Sequence, residues 1–215
     1  MEKGIDLDTP SEYIAPGLRD NLAPFMMDFS NSKYCNCDGL YYKFMYIDSA
    51  GYKINVFSAW LNAIVNAGNG IDLDIFAHKE DKEKIRDKVK RKKTFNRSKF
   101  KLSRESASDR EQLENAIFAG EYILDAMSSQ GEDFYYMSAI ITVSGYSIEE
   151  VEYKARQIQT YFRSQDYLLR DCKYWQESAF FSVLPLCSID KEIFEASKRN
   201  VLTHGLAYSI NFYII

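Results

Sequence analysis

The run Phe134-Tyr-Tyr-Met-Ser-Ala-Ile-Ile-Thr-Val143 constrains the fold more than any other stretch. It is bounded by Gly131 and Gly145 and is long enough for a central strand. Alternation puts Tyr135, Met137, Ala139, Ile141 and Val143 on one face, apolar almost throughout and therefore turned to a core. Phe134, Tyr136, Ser138, Ile140 and Thr142 share the other face, a mixed set that suits partial cover. A helix must start just after it. Ser147 can cap it and Glu150 completes a capping box. Ile148, Val151, Ala155, Ile158 and Phe162 then recur at steps of three and four. Tyr167 to Cys172 reads as a short strand, which closes a strand–helix–strand unit.

A second such unit lies upstream. Leu40 to Ile47 reads as a strand, and a helix is expected from about Asn55 to Ala67. Phe57, Trp60, Leu61, Ile64 and Val65 form its apolar stripe, and Gly68 and Gly70 stop it. Ile71 to Phe76 then alternates as a strand. Between the units, residues of about 79–128 are expected to form an antiparallel helical hairpin. Its second helix carries Leu113, Ala116, Ile117, Gly120, Ile123, Leu124 and Met127 on one side, with Gly120 placed for close helix contact. The order βαβ–insert–βαβ predicts an α+β fold: a ferredoxin-like layer of four antiparallel strands with two helices on one face. A small three-layer α/β domain is the alternative. Short strands at 24–29 and 33–37, joined through Asn31-Ser32 and followed by an Asp38-Gly39 turn, would extend the sheet as a small N-terminal β addition. Residues 1–20 read as a flexible leader, and 21–215 as one domain. After Cys172 a helix over Tyr174–Phe181 ended by Pro185, a short helix around Ile189–Ser197 and an apolar β-rich end from Ala207 are expected. That apolar end, Phe212-Tyr-Ile-Ile215, suggests a chain cut from a longer one.

Composition narrows the function. The 215 residues are 46% hydrophobic with a net charge of −4, so no global charge demands a nucleic-acid or membrane partner. No run reaches the roughly 18 apolar residues of a membrane span. The first eight residues lack the apolar core of a signal peptide. Four cysteines in a chain of this length read as reduced thiols in a cytosolic protein rather than a disulfide framework. Cys35 and Cys37 form a CxC pair, but no second close pair accompanies it, and His78 and His204 are the only histidines. Asp72 and Asp74 share a strand face, which a strand with one wet face explains without a metal. The chain has no G-x-x-x-x-G-K-[ST], G-x-G-x-x-G or G-x-S-x-G segment. No enzyme, cofactor or metal site is expected.

One stretch concentrates charge. Lys88, Lys90, Arg91, Lys92, Lys93, Arg97, Lys99, Lys101 and Arg104 fall within seventeen positions of a chain that is acidic overall. They form either a site for phosphates or anionic headgroups, or a solvated helix balanced by Glu111, Glu114 and Glu121 opposite. Only Phe95 and Phe100 interleave, which argues against a platform for stacking single strands.

The last third carries a pattern. Gln176, Ala179-Phe-Phe-Ser-Val-Leu-Pro-Leu186 and Lys198-Arg-Asn-Val-Leu-Thr-His-Gly-Leu-Ala207 resemble the end of the N-terminal region of the type IV secretion and conjugation ATPases, the CagE/TrbE/VirB family. Ile14-Ala-Pro16 resembles the segment that opens this region. The resemblance implies a non-catalytic assembly and docking domain at the cytoplasmic face of the cell membrane. Its implied partners are other components of the transfer machine and its own ATPase domain, with self-association as a further contact. The family's ATPase motifs have no counterpart here, so that activity does not carry over. DNA or an anionic membrane surface is the less favoured partner. A stand-alone nucleic-acid-binding protein using the basic hairpin is the competing reading.

Overall fold

A computed structural model describes residues 24–52, 60–65, 67–102 and 107–203. The first strand–helix–strand unit comprises β3 (Leu40–Ile47), helix α1 (Asn62–Val65) and β4 (Ile71–Lys79). The second comprises β5 (Phe134–Gly145), α4 (Ile148–Ser164) and β6 (Leu169–Asp171). Their strands lie in the order β6-β3-β5-β4, with every ladder antiparallel. That is the ferredoxin-like order, in an α+β fold. β1 (Met27–Asp28) and β2 (Cys35–Cys37) extend the sheet as a hairpin beside β3. The Asp38-Gly39 turn has φ +51° and +83°. Both central residues are thus left-handed, the hairpin geometry that matches strand twist.

Four strands depart from expectation, among them β6, which is Leu169–Asp171 where Tyr167 to Cys172 is expected. The first two strands are shorter than the sequence suggests. β7 (Arg199–Leu202), which alternation does not announce, pairs with β5 over Phe134–Met137. β3 ends alongside β5 near Ile140, so the edge of β5 beyond it is open, and β7 fills it. Of the helix expected over 55–67, the described residues show Asn62–Val65; 53–59 and 66, with Phe57, lie outside them, as does the strand expected from Ala207.

Both faces of the sheet are covered. Met45, Ile47, Met137, Ala139, Ile141 and Val143 pack against Val151, Ala155, Ile158 and Phe162 of α4 and against Trp60, Leu61 and Ile64. Ile148, at the start of the same stripe, is exposed. Ser147 Oγ accepts from the Glu150 N–H at 3.2 Å, and Glu150 reaches back to the Tyr146 N–H at 3.0 Å. The opposite face, expected to be partly covered, is buried at its centre and stays open toward β4, where Asp72 and His78 are exposed. Phe44, Tyr46 and Ile140 pack beneath α5 (Gln176–Val183) and α6 (Lys191–Ser197). Ser138 of that mixed face is buried, and its Oγ meets Ser197 Oγ of α6 at 2.5 Å. A polar pair that satisfies itself is compatible with an apolar layer.

Candidate interaction surface

The insert is a pair of long helices, α2 (Lys82–Leu102) and α3 (Ala107–Ser129), close to the expected 79–128. β4 runs on to Lys79, which delays the first helix by three residues. Ile85, Ala126 and Met127 anchor its base against Phe134 and Leu202. Farther out the seam thins: Val89, Lys93 and Phe100 are half-buried opposite Leu113, Ile117 and Gly120, while Ala116 is exposed. Arg110 lies over the Phe100 ring at 5.2 Å. The close contact expected of Gly120 is looser than its position suggests. A Cβ there would meet Val89 Cγ1 at 3.6 Å and Lys93 Cβ at 3.8 Å, ordinary contact distances. Gly120→Ala is therefore expected to raise unfolding free energy by about 0.5–1 kcal/mol, because glycine is the poorer helix former. Urea unfolding checks this, and a loss of stability would show that the helices press closer in solution.

The cations do not converge. At about 100° per residue, Lys88, Lys92 and Lys99 lie along one flank of α2 with Arg91 beside them, and Lys90, Arg97 and Lys101 lie along the other. All seven are exposed. Lys93 is half-buried on the seam, and its Nζ lies 4.0 Å from Glu121 of α3, which also binds Arg97. Of the acids expected to balance the charge, Glu121 thus does so directly. Glu111 and Glu114 are exposed on the far side of α3. Arg104 lies outside the described residues.

The sequence reading missed the aromatic component. Phe118 is 71% exposed and Tyr122 48% exposed, one turn apart on the outer side of α3. Phe95 is 67% exposed on α2 among the cations. The available signal was their position off the stripe Leu113–Met127, where an aromatic residue has no seam to fill. Exposed aromatic rings are the component enriched at protein contacts, whereas Lys and Glu are depleted there.

A concavity lies at the sheet edge. Asp74, Phe76 and His78 of β4 face Ser182, Leu184, Pro185 and Ile189 across a cavity of about 500 Å³. Burial and then the neighbouring Asp72 carboxylate hold the Asp74 carboxyl above its ordinary range. Asp72 itself is exposed, as a wet strand face requires.

The residues that carry the family resemblance do structural work. β2 pairs with β3 up to Tyr42 and β6 takes over at Met45. In the gap, buried Gln176 accepts the Phe44 N–H at 3.3 Å and donates to the Cys172 carbonyl at 2.8 Å. Arg199 lies over the Tyr52 ring at 5.4 Å. Leu184 and Pro185 wall the cavity. In the CxC pair, burial pushes the Cys35 thiol up to about 12, which disfavours the thiolate that a metal would need. Among the described residues no group of three or more His, Cys, Asp or Glu side chains is arranged to hold a metal, and no helix is long and apolar enough to cross a membrane. No family model matches the chain, and no curated protein matches it.

Proposed function

We propose that the chain is a non-catalytic assembly and docking domain of a conjugative DNA-transfer (type IV secretion) ATPase. The observation that carries this reading is the arm: two helices inserted between the halves of the sheet, with Phe95, Phe118 and Tyr122 exposed among its charges. The resemblance in Gln176, Ala179–Leu186 and Lys198–Ala207 supplies the machine to which the arm belongs. The domain works at the cytoplasmic face of the membrane and carries out no chemistry of its own. It contacts other components of the machine and the ATPase domain of its own protein.

The native reading frame tests this directly. It is expected to continue past Ile215 into a segment with a G-x-x-x-x-G-K-[ST] loop. The competing reading is favoured by the exposed cations Lys88, Arg91, Lys92 and Lys99. It makes a second prediction: a short duplex should bind at roughly 0.15 M salt well below the 10⁻⁴ to 10⁻⁶ M of non-specific contacts. The docking reading expects no such affinity. A stop codon after Ile215, together with sub-micromolar duplex binding lost when Lys90, Arg91, Lys92 and Lys93 become Glu, would replace it with the nucleic-acid reading.

A further inference from the structure

We infer that the free edge of β4 takes an extended segment of another protein as an added antiparallel strand, one that sets an apolar side chain beside Phe76 and basic side chains beside Asp74 and Asp72. β4 is the last strand of the sheet on its side, and among the described residues no strand pairs beyond it. The ladder to β5 fixes which of its backbone groups are free. The Ser144 N–H donates to the Gly70 carbonyl at 2.7 Å, and the Glu80 N–H donates to the Phe134 carbonyl at 3.0 Å. Even-numbered positions therefore turn their N–H and C=O toward β5. Alternation turns those of Ile71, Leu73, Ile75 and Ala77 away from it. The register with β5 is continuous from Ile71 to Lys79, without a bulge, and the stretch holds no proline. The edge is about 26 Å long and lacks two of the devices that blunt an exposed strand.

The face beside this edge selects what can be added. Ile75 and Ala77 line the cavity of about 500 Å³ together with Asp74, Phe76 and His78. The side chains of Ile75 and Ala77 belong to the opposite face of the strand, so the cavity opens onto the backbone edge itself. A strand laid along β4 places alternate side chains in it, against Leu184, Pro185 and Ile189. The positions opposite Asp72, Asp74 and Phe76 are the non-hydrogen-bonded ones, where facing side chains lie closest. Charge decides what stands there. Among the described residues neither Asp72 nor Asp74 has a cation or a hydrogen-bond donor as partner. An apolar strand would cover these carboxylates unpaired, which is how inward charges guard an edge against indiscriminate pairing. A strand with Lys or Arg at those positions pairs them instead. From its N-terminus the occupant has the pattern apolar-x-basic-x-basic. This surface is separate from the arm, and the inference does not rest on how the arm is read.

The test titrates the whole chain into a fluorescein-labelled peptide, Thr-Thr-Leu-Thr-Lys-Thr-Lys-Thr-Thr, and reads anisotropy at roughly 0.05 M salt. Its Leu comes opposite Phe76 and its two Lys opposite Asp74 and Asp72. Binding should saturate with a Kd below about 0.1 mM. Asp72→Asn combined with Asp74→Asn should weaken it about tenfold, through the loss of two cross-strand charge pairs. Circular dichroism of that variant should be unchanged, because the substitution removes a repulsion from the folded chain. Two further peptides separate strand addition from loose attraction. N-methylation of the two Thr on either side of the first Lys removes N–H groups that face β4, and should abolish binding. N-methylation of the two Lys removes N–H groups turned away from β4, and should leave binding intact. A peptide that does not bind would overturn the inference. So would equal affinity in the Asn variant, or equal loss from both methylation patterns. A wild-type dimer in sedimentation velocity that the peptide disperses would give the edge to a second copy and overturn it as well. None of these results bears on the arm or on the reading frame past Ile215, so the proposed function is tested separately.

Discussion

Lys43→Met is expected to lower the unfolding free energy by about 3 kcal/mol at neutral pH, although methionine fits an apolar layer better than lysine does. Lys43 lies on β3 with its side chain only 4% exposed. Its Nζ sits 3.0 Å from Glu152 of α4 and 3.1 Å from Asp171 of β6. The Tyr34 hydroxyl donates to the same Glu152 oxygen, and Gln159 donates to Asp171 at 2.9 Å. One buried cation thus ties the helix layer to the strand at the sheet edge. Removing it leaves two carboxylates facing each other with less solvent than they need. Breaking a buried pair from one side costs about 3–5 kcal/mol, and the low end applies because both carboxylates retain some exposure. The effect should depend on pH. Burial raises the Glu152 carboxyl, but the hydrogen bonds from Tyr34 and Lys43 outweigh it and hold the group below its ordinary value. A depressed folded pKa contributes stability that is present above the unfolded pKa, roughly 4.3, and is lost as pH falls through the folded value. The gap between wild type and variant should therefore narrow below about pH 4. Urea unfolding at pH 7 and in that acid range measures both. A gap under about 0.5 kcal/mol at pH 7 would mean that water reaches the cluster freely.

That cluster was not legible in the sequence, and the reason is physical. Lys43 sits within Leu40-Tyr-Tyr-Lys-Phe-Met-Tyr-Ile47, where alternation gives it no special weight. Its partners lie about 110 and 130 positions away, and only the packing of α4 over β6 and β3 brings them near. Period and caps, by contrast, are local. Ser147 and Glu150 mark the start of α4 because the capping groups are neighbours in sequence. The alternation in β5 fixes which residues face α4, since a slip of one residue would reverse the faces. β7 was hidden because four residues, Arg199 to Leu202, carry too little alternation to announce a strand. Their pairing is decided by the gap left on β5 where β3 ends.

The arm shows the same division. Its two helices follow from a seam of apolar residues and from the density of charge. What the charge does depends on the partition of residues around each helix. Nine cations read along the chain as one patch, yet the eight that lie on α2 separate onto two flanks and a seam once wound at 3.6 residues per turn. The rings that matter, Phe118 and Tyr122, occupy the outer side of α3, away from the stretch that draws the eye. The face of the sheet under α5 and α6 is a further instance. Phe44, Tyr46 and Ile140 are buried there by two helices that the sequence announces but whose packing against this face it does not.

Trp60→Ala is expected to cost about 3–5 kcal/mol, the range for deleting a buried aromatic side chain. The apolar stripe Phe57, Trp60, Leu61, Ile64 and Val65 places Trp60 against the sheet, and the residue is 3% exposed. Its contacts extend beyond the stripe. The indole stacks on Tyr167 at 4.7 Å between centroids and meets the Tyr52 ring edge-on at 6.0 Å. Tyr167 in turn packs edge-on against Phe162 of α4 at 5.8 Å. The rings therefore link the turn that follows β3, the residues that lead into α1 and the turn that follows α4. Tyr52 carries the link to the far end of the chain, because its hydroxyl donates to the Ser197 carbonyl at 3.2 Å and Arg199 lies over its ring. Aromatic pairs of this kind add about 0.5–1.5 kcal/mol each beyond area burial. Trp60→Phe should consequently recover only part of the loss, since a single ring cannot span both neighbours. Urea unfolding of the two variants provides the measurement. Equal stability of Trp60→Phe and wild type would show that the stack contributes nothing beyond filling space. A loss below about 1 kcal/mol in Trp60→Ala would mean that the helix does not hold its stripe against the sheet.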